Sequence, residues 1–124
     1  MPGEVIDASL LGAIVFGEPR AKEAISLIRG EELYAPSLLA YELASVARKK
    51  ARVYPDQHGK LAQALELALL LDIHWMEVDH VAVFALAMDT GLTTYDASYL
   101  YLARSLGLPL ATFDERLQTA MNSP

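Results

Sequence analysis

The sequence contains no cysteine, which excludes disulfides and thiolate metal sites and is compatible with a reducing compartment. The N-terminus lacks the basic region and long apolar stretch of a signal peptide. The longest uninterrupted apolar run, Val81 to Met88, is too short to span a bilayer. Repeats, low-complexity segments and linkers are also missing, and 124 residues suit one domain, 1–124, with one core. The expectation is a soluble, cytoplasmic protein with no membrane partner. Excess positive charge is missing too. The net charge is −6, whereas contacts to phosphate make a typical nucleic-acid binder basic. That counts against nucleic acid unless carboxylates gather around divalent cations.

Apolar residues, by contrast, are plentiful. They make up 53% of the chain, and the mean hydropathy is +0.24. A small domain cannot hide so much apolar surface alone, so an oligomer, a partner chain or both are expected.

Short apolar segments alternate with helical patterns. Glu4 to Asp7, Leu33 to Ala35, Ile73 to Val78 and Leu108 to Phe113 are expected strands. Expected helices run over 8–17, 20–29 with Gly30 as C-cap, from Pro36-Ser37 to about 52, 54–71, 79–89, 94–106 and 115–120. This alternation predicts an α/β fold whose parallel sheet is covered on both faces. In such sheets the ligand crevice lies at the carboxyl ends of the strands, where Asp7 and Asp114 fall.

Four acids stand out. On a helix over 37–52, Leu38, Leu39, Glu42, Leu43, Val46 and Val53 share one face. Glu42 sits inside that apolar stripe, where an unpaired carboxylate costs several kcal/mol, so it needs an Arg partner, a solvent edge or a function. Asp96 shares a face with Tyr99, Leu100, Ala103 and Leu106. It can equally be a first-turn acid favoured by the helix dipole. Asp7 and Asp114 can each be a helix N-cap. The set carries more weight than its members, because no basic residue sits equally inward at those places. Carboxylates within about 4 Å repel by roughly 4 kcal/mol per pair at an effective dielectric near 20. Such a cluster persists with divalent cations or with raised pKa values. Oxygen-only ligands suit Mg²⁺ or Mn²⁺, an arrangement used for phosphodiester cleavage.

Four stretches together carry a family resemblance: Val5-Ile6-Asp7-Ala8-Ser9, Leu39-Ala40-Tyr41-Glu42-Leu43-Ala44, Thr94-Tyr95-Asp96-Ala97-Ser98-Tyr99-Leu100 and Leu110-Ala111-Thr112-Phe113-Asp114. In their order and spacing the chain resembles PIN-domain nucleases, and more closely VapC-type toxins of type II toxin–antitoxin systems. The resemblance implies a three-layer α/β/α sandwich around a central parallel sheet of four to five strands. It implies a Mg²⁺- or Mn²⁺-dependent endoribonuclease, working as a homodimer and inhibited by a VapB-like antitoxin that occupies the site. Matched motif by motif, Asp7, Glu42, Asp96 and Asp114 become the catalytic, metal-binding acids. Ser9 and Thr112 become hydroxyls that help order ligands or water. Many relatives carry a further C-terminal strand, for which the ten residues after Asp114 leave little room.

The remaining residues leave alternatives open. Arg48, Lys49, Lys50, Arg52 and Lys60 can hold RNA phosphates or simply be a solvated helix C-terminus. Arg104 and Arg116 lie close to the acids in sequence and can touch substrate or pair with an acid, the latter favoured. His58, His74 and His80 lack metal-ligand spacing, which suits surface or strand-end roles. Trp75 and the apolar helices 8–17 and 61–71 suit core or interface packing. A phosphoacceptor receiver domain fits poorly, because no lysine follows Lys60, and a haloacid-dehalogenase-like phosphatase would want an acid where Ser9 stands. The rivals are a non-catalytic PIN-like oligomerisation module and a PIN nuclease acting outside toxin–antitoxin systems.

Overall fold

A computed structural model describes residues 3–30 and 32–123. The chain runs β1 (Gly3–Ile6), α1 (Ala8–Val15), α2 (Ala21–Leu27), β2 (Glu32–Pro36) and α3 (Leu38–Val53). After a 3₁₀ turn over Pro55–Gln57 come α4 (His58–Leu69), β3 (Ile73–Met76), α5 (His80–Thr90), α6 (Thr94–Leu106), β4 (Leu110–Ala111) and α7 (Glu115–Met121). All strand pairs are parallel, in the order β3-β2-β1-β4. Val5 lies between Tyr34 and Leu110 in the register.

This order explains the layers. The chain steps from β1 outward to β2 and β3, then returns to place β4 on the other side of β1. Successive crossovers keep one hand, so reversing the direction of travel puts the later helices on the opposite face. Accordingly α1 packs on α2, α3 and α4, while α6 packs on α5, α7 and the strands β1, β2 and β4. The result is the expected three-layer α/β/α sandwich, with four strands among the described residues. Val5 and Ile6 of β1 are wholly buried between Leu10, Leu39 and Leu43 from the first helical layer and Tyr99 and Leu100 from the second.

Helix ends follow their local chemistry. Asp79 caps α5 by accepting from the Val81 and Ala82 amides, and the Thr93 hydroxyl caps α6 by accepting from Asp96 N. Gly91 and Gly107 end those helices at φ of 76° and 65°, the left-handed turn that glycine takes without a Cβ clash.

Several expectations need correction. The second helix stops at Leu27, and Ile28, not Gly30, is its cap residue. The reason is Glu4, a buried acid in β1 whose Oε1 accepts from Arg29 N at 2.6 Å and Gly30 N at 2.8 Å, holding that segment across the strand. The fourth strand keeps only Leu110–Ala111. Beyond it the Phe113 and Asp114 amides donate to the Ser9 and Thr112 hydroxyls instead of to a neighbouring strand. Val53 is exposed rather than inward, because α3 ends there clear of the core. Trp75 is partly exposed on the edge strand β3, and α4 buries only Ala68 while Leu67 and, at its C-cap, Leu70 face outward.

Candidate active site

The sheet order reverses between β1 and β4, and a crevice at the carboxyl ends of two such strands is where open α/β sheets bind ligands. Asp7 follows β1 and Asp114 follows β4 there. Asp7 is buried and heavily engaged. Its Oδ1 accepts from Leu10 N at 3.1 Å, capping α1, and from Ser9 Oγ at 2.8 Å. Its Oδ2 accepts from Thr112 Oγ1. Thr112, itself buried, also accepts from Asp114 N at 2.9 Å, so one hydroxyl ties the two acidic strand ends together. Asp114 Oδ1 accepts from Leu117 N at 3.0 Å, capping α7.

Glu42 and Asp96 come in from the two helical layers. Both are half-buried. Glu42 Oε1 accepts from the hydroxyl of Tyr99 at 2.5 Å. That hydroxyl reaches across from α6, one turn after Asp96. In the sequence Tyr99 stands on a buried face and inside a motif, but nothing there assigns it a partner. Its place three residues after Asp96 on that face is the one signal that could have drawn attention to it.

The electrostatics show what surrounds each acid. Burial pushes the Asp7 carboxyl above its ordinary value, with the charge of Asp114 adding to it against the donors Thr112, Ser9 and Leu10 N. Burial likewise raises Glu42, helped by Asp7 and Asp96 and opposed by the Tyr99 hydroxyl. Asp96 is raised by burial and by Asp114, and is opposed by Thr93 and Arg116. The Tyr99 phenol is held un-ionised by burial and by the charges of Glu42, Asp7 and Asp96. The repulsions Asp7–Asp114, Asp114–Asp96, Asp96–Glu42 and Glu42–Asp7 thus close a ring. No ion pair among the described residues involves any of the four acids.

Among the described residues no three acidic or histidine side chains are gathered closely enough to grip one ion directly. That rules out a ready-made all-protein cage, but it suits Mg²⁺, which keeps several waters and takes one or two carboxylates. The donor set fits such an ion: it is all oxygen, and among the described residues none of it is tied up in an ion pair.

The basic residues are placed unevenly. Lys50 pairs with Glu18 at 2.6 Å, while Arg48, Arg52 and Lys60 are exposed. Lys49 lines a cleft of about 500 Å³ together with Glu42 and Ser9. Contrary to expectation, neither Arg104 nor Arg116 forms an ion pair with an acid. Arg104 donates to the carbonyls of Ala120 and Ser123 at the end of α7, and Arg116 to that of Gly91. Backbone carbonyls at helix ends have outcompeted the carboxylates for both. Of the histidines, His74 stacks on Tyr34 at the sheet edge, and all three are exposed.

The sequence matches the PIN domain over residues 5–121. It is 34% identical over 118 residues to Ribonuclease VapC3 of Pyrobaculum aerophilum, a match covering 91% of this chain and 90% of that protein. It is 32% identical over 118 residues to Ribonuclease VapC9 of Mycobacterium tuberculosis, covering 91% and 87%. The fold superposes on the crystal structure of PAE2754 from Pyrobaculum aerophilum with a TM-score of 0.79 and 30% identity, over 98% of this chain and 81% of that one. Mycobacterium tuberculosis VapC20, a sarcin–ricin-loop-cleaving toxin, shares the fold at a TM-score of 0.68 and 15% identity, over 94% and 93%. The chain therefore belongs to the PIN-domain family. Its relatives place it among the VapC-type members of that family.

Proposed function

We propose that this chain, as a single domain, is a Mg²⁺- or Mn²⁺-dependent endoribonuclease, the toxin of a toxin–antitoxin pair. The observation that carries this reading is the ring of four mutually repelling carboxylates, Asp7, Glu42, Asp96 and Asp114, at the switch point of a PIN sheet with no ion pair to any of them. VapC-type relatives named as ribonucleases support it.

Asp7 is the most firmly placed acid, and Ser9, Thr112 and the α1 amide fix both its oxygens. Asp114 shares the Thr112 anchor through its backbone, and Glu42 is held by Tyr99. These carboxylates would hold the cation, in part through its waters. When bound, a divalent ion supplies positive charge at the phosphate and acidifies a water molecule. Asp96 or Asp114 would orient the attacking water and accept its proton as the bond from phosphorus to the 3′-oxygen breaks, the leaving oxygen taking a proton from solvent. By resemblance to the family, the products carry 5′-phosphate and 3′-hydroxyl ends. Lys49, which lines the same cleft as Glu42, would meet an RNA phosphate; Arg116, whose charge is felt at Asp96, and Arg48, Arg52 and Arg104 are further candidates for phosphate contact.

The exposed apolar side chains Leu67 on α4, Leu70 at its C-cap, and Val81, Phe84 and Met88 on α5 supply surface for a homodimer and for a VapB-like antitoxin. Among the described residues no helix is long and apolar enough to cross a membrane, and the cytoplasm is the proposed place of action. The same apolar faces favour the second reading, a non-catalytic oligomerisation module. The two are separated by incubating the protein with RNA and Mg²⁺ or Mn²⁺, and by titrating Mn²⁺ into it. The enzyme reading expects cleavage that stops with chelator and with Asp7→Asn, and Mn²⁺ binding that Asp7→Asn weakens. A chain that binds Mn²⁺ no better than Asp7→Asn and leaves RNA intact is a module.

A further inference from the structure

The chain places two exposed aromatic rings where the proposed reaction has so far given them no role. Tyr41 immediately precedes Glu42 on α3, and Tyr95 immediately precedes Asp96 on α6. They are 75% and 61% exposed, while Tyr99 nearby is buried. Both line the cleft of about 500 Å³ that Glu42, Ser9 and Lys49 share. The cleft is therefore continuous with the carboxylates through Glu42 and through Ser9, whose hydroxyl donates to Asp7. A larger cavity of about 680 Å³ lies among α5, α6 and α7, but none of the four acids lines it.

The chemistry of the cleft is that of a nucleotide subsite. Tyrosine offers a flat face for a base, and stacking of this kind tolerates any sequence because every base has a π-face. Lysine meets phosphate as a point charge, and Lys49 has no carboxylate within ion-pair distance among the described residues, unlike its neighbour Lys50. A cleft of this volume falls within the usual range of small-ligand pockets, roughly 300–1,000 Å³. A base can enter only if it is not stacked in a helix, so the arrangement selects unpaired RNA.

We propose that the Tyr41–Tyr95 cleft is a base-stacking subsite for single-stranded RNA, in which the base of a nucleotide beside the scissile phosphate lies against the tyrosine rings while Lys49 meets the adjoining phosphate. The inference rests on the ribonuclease reading above and adds the residues that choose unpaired substrate.

The test is fluorescence anisotropy with a labelled single-stranded RNA of about ten nucleotides, within the usual site sizes, in Ca²⁺ in place of Mg²⁺. A second series carries one abasic position at successive sites. Tyr41→Ala and Tyr95→Ala each weaken binding about 5- to 100-fold, and Tyr41→Phe and Tyr95→Phe, which keep the ring, recover it to within about threefold. At one abasic position the alanine variants lose nothing further, since base and ring act as a pair. In cleavage assays with Mn²⁺ the alanine variants raise KM more than they lower kcat. A fully paired hairpin binds the alanine variants as well as it binds the parent.

If the parent cleaves RNA and the alanine variants retain its affinity and KM, the subsite is wrong while the ribonuclease reading stands, and the cleft is left to a protein partner. If the parent neither binds nor cleaves RNA, both fall.

Discussion

Replacing Tyr99 with Phe removes one hydroxyl and leaves the ring in the core. That hydroxyl donates to Glu42 Oε1 at 2.5 Å from a residue 1% exposed. A hydrogen bond to a charged group contributes about 1.5–3 kcal/mol net. Glu42 is only half-buried and can draw in water when the donor is lost, so the expected cost lies near the lower end, about 1.5–2 kcal/mol. With a urea m-value of about 1–3 kcal/mol/M for a small protein, the midpoint falls by roughly 1 M at unchanged m. Function should suffer separately. Asp7 and Asp96 both repel Glu42, so without Tyr99 the glutamate swings away from its place in the ring. A loss of about 1.4–2 kcal/mol of transition-state stabilisation is a ten- to thirtyfold fall in kcat for RNA cleavage. Mn²⁺ affinity should fall with it, and KM for RNA should move little. Urea melts, Mn²⁺ titration and steady-state cleavage together read all three. A Phe variant that is less stable but keeps parental kcat and Mn²⁺ affinity would show that the hydroxyl serves packing alone. One unchanged in all three would refute the claim that Tyr99 holds Glu42.

Three further outcomes follow from the same geometry. In chelator, Asp7, Glu42 and Asp96 have carboxyl pKa values raised above ordinary in the folded chain. The stability they contribute is complete below the ordinary carboxylate range and is lost as pH rises through the raised values. Metal-free protein should melt higher at about pH 5 than at about pH 8, and Mn²⁺ should narrow that gap at the higher pH; equal melting temperatures in chelator would contradict the ring. Glu4→Ala leaves the Arg29 and Gly30 amides without their acceptor and should cost about 2–4 kcal/mol in urea unfolding, with retained cleavage by the remaining folded protein. Phe84→Asp on α5, where the ring is 60% exposed, should lower the mass measured by light scattering if that face joins two copies, and leave Mn²⁺ binding intact.

Most of the architecture was legible because it is written locally. Asp79 and Thr93 sit where a capping side chain is needed, Gly91 and Gly107 where the chain must turn left-handed, and the apolar faces of α3 and α6 recur at helical spacing. The strand-end position of Asp7 and Asp114 follows from the same reading. What stayed hidden depends on partners far along the chain. Tyr99 meets Glu42 across 57 positions, Thr112 meets Asp7 across 105, and Glu4 reaches Arg29 across 25. A motif marks Tyr99 and Thr112 but not the acid each one meets, and Glu4 carries no mark at all, so the early stop of α2 and the shortening of β4 could not be read from their own residues. The arginines differ from expectation for a related reason: a sequence shows that Arg104 and Arg116 lie near acids, not that carbonyls at helix ends stand closer.

Local bonds to the backbone explain how four like charges coexist without an ion pair. Asp7 caps α1, Asp114 caps α7, and Asp96 lies in the first turn of α6. A helix N-terminus presents unpaired amides and roughly half a positive charge, so three of the four acids sit where the backbone itself offsets repulsion. The capping reading and the functional reading of these residues are therefore not rivals. Capping occupies Oδ1 of Asp7 and of Asp114 and holds each carboxylate in place without a lysine or arginine that would compete with a cation. Glu42 is the exception, in the second turn of α3 with no helix end to help it, and it is the acid given a buried phenol. An arginine in place of any of the three helix-end supports would neutralise the carboxylate it met and spoil the site, because the charge that the fold leaves unneutralised is what a divalent ion binds.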